Sequence, residues 1–186
     1  MIITKIFQTI TVSATAFALV GCAAFRVKHE RVGLGENTIN KTDLILVKEI
    51  SADRAHFTGD KSAEEARVTG EKSQIKSQLS DEIVTNLKDR GFNAKLASAG
   101  GAGAFVIEGA VTEFDHGSAA GRLFGAGGSS TMTADLKIIK GKTTVADIEV
   151  QGVSEGTGFT AMGSYLKPLM KNIATQTAKY ISTRLK

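Results

Sequence analysis

Apolar positions along the chain fall into short runs with two distinct periods. Leu44-Ile45-Leu46-Val47 is a continuous apolar run of strand length between Asp43 and Lys48, the pattern of a strand covered on both faces. Residues 51–61 then turn polar. From Glu71 onward Ile75, Leu79, Ile83 and Leu87 recur every four residues, which lays one apolar stripe along a helix. Ser62-Ala63-Glu64-Glu65 matches a capping box that would start this helix earlier, with Gly70 as a candidate break. The helix end is marked three times. Lys88 and Arg90 suit the dipole in the last turn, Gly91 stands where a left-handed C′ residue belongs, and Phe92 can fold back on Leu87.

A short strand is expected over 92–97, followed by the soft loop 98–103. A longer strand follows over 105–115, with Phe105, Ile107 and Val111 on one parity and Val106, Ala110 and Phe114 on the other, as in a central strand. Residues 131–140 alternate cleanly, Met132, Ala134, Leu136 and Ile138 pointing one way, and Lys140-Gly141-Lys142 reads as the turn of a hairpin into 143–150. Residues 157–162 lead out of the sheet. A last helix begins near Ser164, tolerates Pro168 in its first turn, and carries Leu166, Leu169, Met170, Ile173, Ala174, Thr177, Tyr180 and Ile181 at helical period.

The order strand, helix, three or four antiparallel strands, helix predicts an α+β fold. Its simplest form is a two-layer sandwich, a mainly antiparallel sheet of four or five strands with both helices on one face. This domain is expected over 42–186. Residues 22–41 carry charges and isolated apolar side chains without a sustained period, and are expected to be a tether.

The N-terminus changes the picture. Lys5 precedes an apolar stretch over 6–20 that is diluted by Gln8, Thr9, Thr11, Ser13 and Thr15. A transmembrane helix needs about 20 mostly apolar residues, so this reads as an export signal. It ends in Leu19-Val20-Gly21-Cys22, which resembles the bacterial lipobox. The resemblance implies cleavage between Gly21 and Cys22 and acylation of Cys22. A second acyl chain turns a reversible membrane contact into a lasting one, since each buried methylene contributes about 0.8 kcal/mol. By the same resemblance to bacterial lipoproteins, Ala23 after the cysteine implies sorting to the outer membrane, with the domain facing the periplasm. Three segments are therefore expected: a signal over 1–21, a lipidated tether over 22–41 and the domain over 42–186.

Composition excludes several function classes. The formal net charge is only +4 and no Lys/Arg cluster with interleaved aromatics occurs, so nucleic acid is not an expected partner. Cys22 is the sole cysteine, so no disulfide braces the domain. Tryptophan is absent and aromatics make up 6%, which disfavours a stacking platform for sugars or bases.

Catalytic motifs fail on context. Gly152-Val153-Ser154-Glu155-Gly156 has the spacing of a nucleophile elbow, but His29, His56 and His116 all precede Ser154 and no helix follows it. Ser73-Gln74-Ile75-Lys76 and Ser164-Tyr165-Leu166-Lys167 fit Ser-x-x-Lys without the accompanying Ser-Asp-Asn and Lys-Thr-Gly. Gly141-Lys142-Thr143 lacks the first glycine of a phosphate loop. The histidines have no metal-ligand spacing. Glu113 and Asp115 share a strand face at period two, as a solvated strand end would place them. No catalytic residue, metal or cofactor is expected.

The most distinctive stretch of the domain is Gly117-Ser118-Ala119-Ala120-Gly121-Arg122-Leu123-Phe124-Gly125, followed by Gly127 and Gly128. It is too short and too polar for a membrane glycine zipper and reads as a loop with close backbone approach. With Gly91-Phe92, Phe105-Val106-Ile107-Glu108-Gly109 and Val111-Thr112-Glu113-Phe114-Asp115-His116-Gly117, it resembles a family of bacterial lipoproteins catalogued as domain of unknown function 4410. That resemblance covers about 42–186. It implies the same two-layer fold, similar to domains of envelope lipoproteins that build secretion pores or activate peptidoglycan synthases, and it implies no catalytic residues.

The expected function is a non-enzymatic, outer-membrane-anchored lipoprotein whose domain binds another envelope protein. The expected contact is the loop carrying Gly117, Gly121, Arg122, Gly125 and Gly127. The alternative is a protomer of a homo-oligomeric envelope ring or pore, and an envelope enzyme ranks third.

Overall fold

The computed structural model describes residues 27–32, 38–59, 64–97, 101, 103–118, 128–154 and 165–183. Seven strands form one sheet: β1 (Val27–Val32), β2 (Leu44–Val47), β3 (His56–Thr58), β4 (Asn93–Leu96), β5 (Phe105–Asp115), β6 (Ser130–Lys140) and β7 (Thr143–Ser154). Helix α1 (Glu65–Asp89) stands between β3 and β4, and α2 (Leu166–Thr183) follows β7. The strand order is β1-β7-β6-β5-β2-β4, with β3 paired to β5.

The two-layer α+β arrangement is as expected, and the sheet is larger and more mixed than expected. β1, β7, β6 and β5 pair antiparallel in succession, whereas β2 and β3 pair parallel with β5, and β4 parallel with β2. Parallel neighbours need a crossover, and α1 supplies it between β2 and β4. β2 and β3 line the same side of β5 in succession. Ile45 is opposite Phe105, Ser51 bridges to Ala110, and His56 is opposite Glu113.

Two strands lie where the polarity pattern predicts none. β1 falls inside the segment expected as a tether, and Ile39 of that segment is wholly buried, so part of residues 22–41 belongs to the folded domain. Register shifts on both sides of β1's centre break the alternation that would have marked it. β3 is three residues long and its first side chain is exposed, which leaves no periodic signal.

The core lies between the sheet and the helices. Ile45, Val47, Phe105, Ile107, Val111, Phe114, Met132, Ala134, Leu136, Ile138, Ala146, Ile148 and Val150 pack with the stripes of α1 and α2 in one cluster. β5 attains this despite apolar residues on both parities, because a bulge between Val111 and Glu113 shifts the alternation by one. Phe114 therefore joins Phe105, Ile107 and Val111 on the helix side. Its opposite parity reflects the bulge, not burial of both faces. Glycine lets the layers approach: a Cβ on Gly152 would come within 2.6 Å of the Leu169 carbonyl oxygen of α2.

Helix α1 ends as its sequence predicts. Gly91 has φ +85°, its N–H bonds Lys88 O at 2.8 Å, and the Phe92 N–H bonds Leu87 O at 3.1 Å, a Schellman closure. Its start differs. The helix begins at Glu65 with no side-chain cap on Glu64, and it runs unbroken through Gly70.

Strand directions give the sheet two unlike ends. Thr58, Asp115, Ser130 and Ser154 lie at one end with the starts of both helices, and the Lys140–Thr143 hairpin lies at the other.

Candidate functional site

Where β3 and β5 end and the two helices begin, four polar side chains meet inside the protein. His116 follows the last residue of β5 and is 0% exposed. Its backbone N–H and its ring Nδ1 both lie on the Thr58 carbonyl oxygen, at 3.0 and 2.9 Å. A carbonyl only accepts, so Nδ1 carries a proton and donates. The other nitrogen, Nε2, lies 2.8 Å from Glu71 Oε2. One proton must sit between these two atoms for the contact to be favourable, either on an imidazolium or on a carboxylic acid.

Glu71 is tied further. Its Oε1 accepts from the Tyr165 hydroxyl at 2.6 Å and from Arg67 Nε at 3.0 Å. Arg67 also donates to the Tyr165 hydroxyl through Nε and Nη2, and its guanidinium stands over the Tyr165 ring, 5.3 Å from the centroid. Helical geometry explains part of this, since Arg67 and Glu71 are one turn apart on α1. Aromatic rings seal the rest. Phe114 lies edge-on to His116 at 4.8 Å and stacks on Phe57 at 5.1 Å, and Tyr165 meets His116 edge-on at 6.0 Å.

This environment moves two acidities. Burial is the larger cause for Tyr165, and its hydrogen bond to Glu71 adds to it; against the opposing Arg67 they push its pKa up to about 12. Burial acts to lower that of Arg67, but the hydrogen bonds and charges of Tyr165 and Glu71 outweigh it and hold the guanidinium above its ordinary value.

The cluster therefore works as a polar lock. It joins β3, α1, the end of β5 and the start of α2 through groups that satisfy one another. A ring with no exposure and both nitrogens engaged presents no surface to a substrate. Residue patterns alone did not point to it. His116 stood out only as part of a motif, and the partners of its ring, Glu71 and Thr58, lie 45 and 58 residues away.

Other sequence features fall as follows. Gly117, the first glycine of the expected contact loop, has φ +65°, and a Cβ there would come within 2.5 Å of the Ser129 carbonyl oxygen. Asp115 Oδ1 accepts from the Gly117 N–H at 2.9 Å and holds the turn. Gly121, Arg122, Gly125 and Gly127 lie outside the described residues, as do Gly21 and Cys22. Ser154 ends β7 in register with Ser130. Gly141, φ +63°, makes the β6–β7 turn. Glu113 is exposed on the open face of the sheet, and Lys76 of α1 pairs with Glu49 at 3.4 Å. Among the described residues no three His, Cys, Asp or Glu side chains cluster as metal ligands.

A family model described as a domain of unknown function, DUF4410, matches residues 45–158, more than half of the chain. The chain belongs to that family. The match takes in β2 through β7 and with them Glu71 and His116 of the lock, though not Tyr165. None of the curated proteins compared with the chain matches it. Among solved structures, two crystal forms of the PelC dodecamer from Paraburkholderia phytofirmans share the fold. One, a point variant, has a TM-score of 0.52 and 10% identity, and covers 85% of this chain and 96% of that one. The other has a TM-score of 0.51 and 12% identity over 85% and 97%.

Proposed function

We propose that this DUF4410 protein is an outer-membrane lipoprotein, held by acyl chains on Cys22, whose periplasmic domain assembles with further copies of itself and has no catalytic role. What carries the reading is the fold it shares with a protein crystallised as a dodecamer, over 85% of this chain and 96% of that one. Two features support it. The sequence Leu19-Val20-Gly21-Cys22 supplies an anchor, and among the described residues the sheet ends on one side in β4, a four-residue strand paired with β2 alone. An unpaired strand edge is a ready interface. On this one stands Leu96, the exposed large apolar side chain among the described residues, 47% accessible.

The test uses the lipidated protein extracted in mild detergent. Mass measured by light scattering is expected at several protomers, and a monomer at tens of micromolar rejects the assembly. Cys22→Ala is expected to abolish palmitate labelling and to leave unprocessed or mislocalised protein. A Cys22→Ala protein that still fractionates with the outer membrane rejects the anchor.

A further inference from the structure

The position of β1 limits how far the domain can stand from its anchor. This inference rests on the proposed attachment at Cys22. Five Cα–Cα steps separate Cys22 from Val27, where β1 begins. At about 3.3–3.6 Å per residue they span no more than roughly 18 Å, whatever path they take.

That reach can be laid against the sheet. Val27 is opposite Val150 of β7, and β1 runs from there toward Asp147. The N-terminal end of β1 at Val27 therefore lies nearer Gln151–Ser154 and the end of the sheet that holds Thr58, Asp115 and the polar lock. At about 3.3 Å per strand residue, Ser154 lies roughly 13 Å beyond Val150, within the leash. Thr143 lies roughly 23 Å the other way, outside it. Across the sheet, β4 is five strand positions from β1, roughly 24 Å at about 4.8 Å each, and is also outside it.

We propose that the bilayer faces the end of the domain formed by Thr58, Asp115–Ser118, Ser130 and Ser154, while the Lys140–Thr143 hairpin and the β4 edge point away from it. The partner of this end is the phospholipid headgroup surface. The arrangement places the His116 lock on the membrane side, and leaves the β4 edge with Leu96 free for a neighbouring protomer.

The experiment uses the full lipidated protein in phosphatidylcholine vesicles that contain a headgroup-nitroxide phosphatidylcholine. Cys22 is consumed by its lipid, so a thiol introduced as Ser118→Cys or Lys142→Cys is the one available for a fluorophore. Both positions are exposed, one at each end of the sheet. The label at 118 is expected to be quenched several-fold more than the label at 142. Equal or reversed quenching, the result of a domain lying on its β1 edge or inverted, overturns the orientation. A flexible Gly/Ser insert of about 15 residues between Cys22 and Val27 is expected to erase the difference, and a difference that survives the insert overturns the leash as its cause. Protein that does not float with the vesicles overturns the lipid attachment, and the orientation with it.

Discussion

His116 shows how much one residue's meaning depends on its surroundings. An exposed histidine beside a glycine-rich stretch would suggest a binding or titrating group. Here its ring is enclosed by Phe57, Phe114 and Tyr165 and bonded at both nitrogens. Tyr165 offers the clearest measurement. Its pKa in the folded protein is about 12, against about 10 in an unfolded chain. The folded state keeps the phenolic proton where the unfolded state has lost it. The stability this contributes is full below pH 10 and is lost as pH rises through 12. In a spectrophotometric titration, the component present in the wild type and missing from Tyr165→Phe should have its midpoint near 12. A midpoint near 10 would show that the hydroxyl is neither buried nor held by Glu71.

At the level of elements, glycines separate local from tertiary requirements. Gly70 lies inside α1, and a Cβ there would meet nothing within 4 Å. Gly70→Ala should stabilise the protein by about 0.5–1 kcal/mol, because alanine loses less backbone entropy on entering a helix. Gly152 calls for the opposite result. A Cβ on it meets the backbone of α2, which cannot move aside as a flexible side-chain tip could. Gly152→Ala should destabilise by about 1–3 kcal/mol, the usual cost of overpacking. Thermal unfolding of both variants checks the pair, and a neutral Gly152→Ala would mean that α2 is free to shift off β7. The residues around Gly152 have the spacing of a nucleophile elbow but not its context, and the structure gives the glycine a packing reason. Helix α1 was legible at its C-terminus, where Gly91 and Phe92 act through neighbouring residues. At its N-terminus it was less so: the Ser62–Glu65 pattern points near the observed start at Glu65, but Gly70, a candidate break, lies exposed inside an unbroken helix.

For the molecule as a whole, the assembly reading depends on which strands end the sheet. Leu96→Asp places a charge on the β4 edge, where the wild type has an exposed apolar side chain. Light scattering in detergent should then give a lower assembled mass, with the unfolding temperature nearly unchanged because Leu96 contributes little to the core. An unaltered mass would move the interface away from β4. Features set by residues close together in the chain are legible in the residue pattern. These are the stripe and closing turn of α1, the strands β2, β4, β5, β6 and β7, the Gly141 hairpin, helix α2, and the Leu19-Val20-Gly21-Cys22 motif. That Val27–Val32 and His56–Thr58 join the sheet, that β2 and β4 lie parallel, and that His116 closes on Glu71 emerges from the folded chain. Strand pairing and burial are contacts between distant segments. A bulged edge strand or a short exposed one leaves no period in its own residues, and a polar side chain carries no mark of the partner that will bury it.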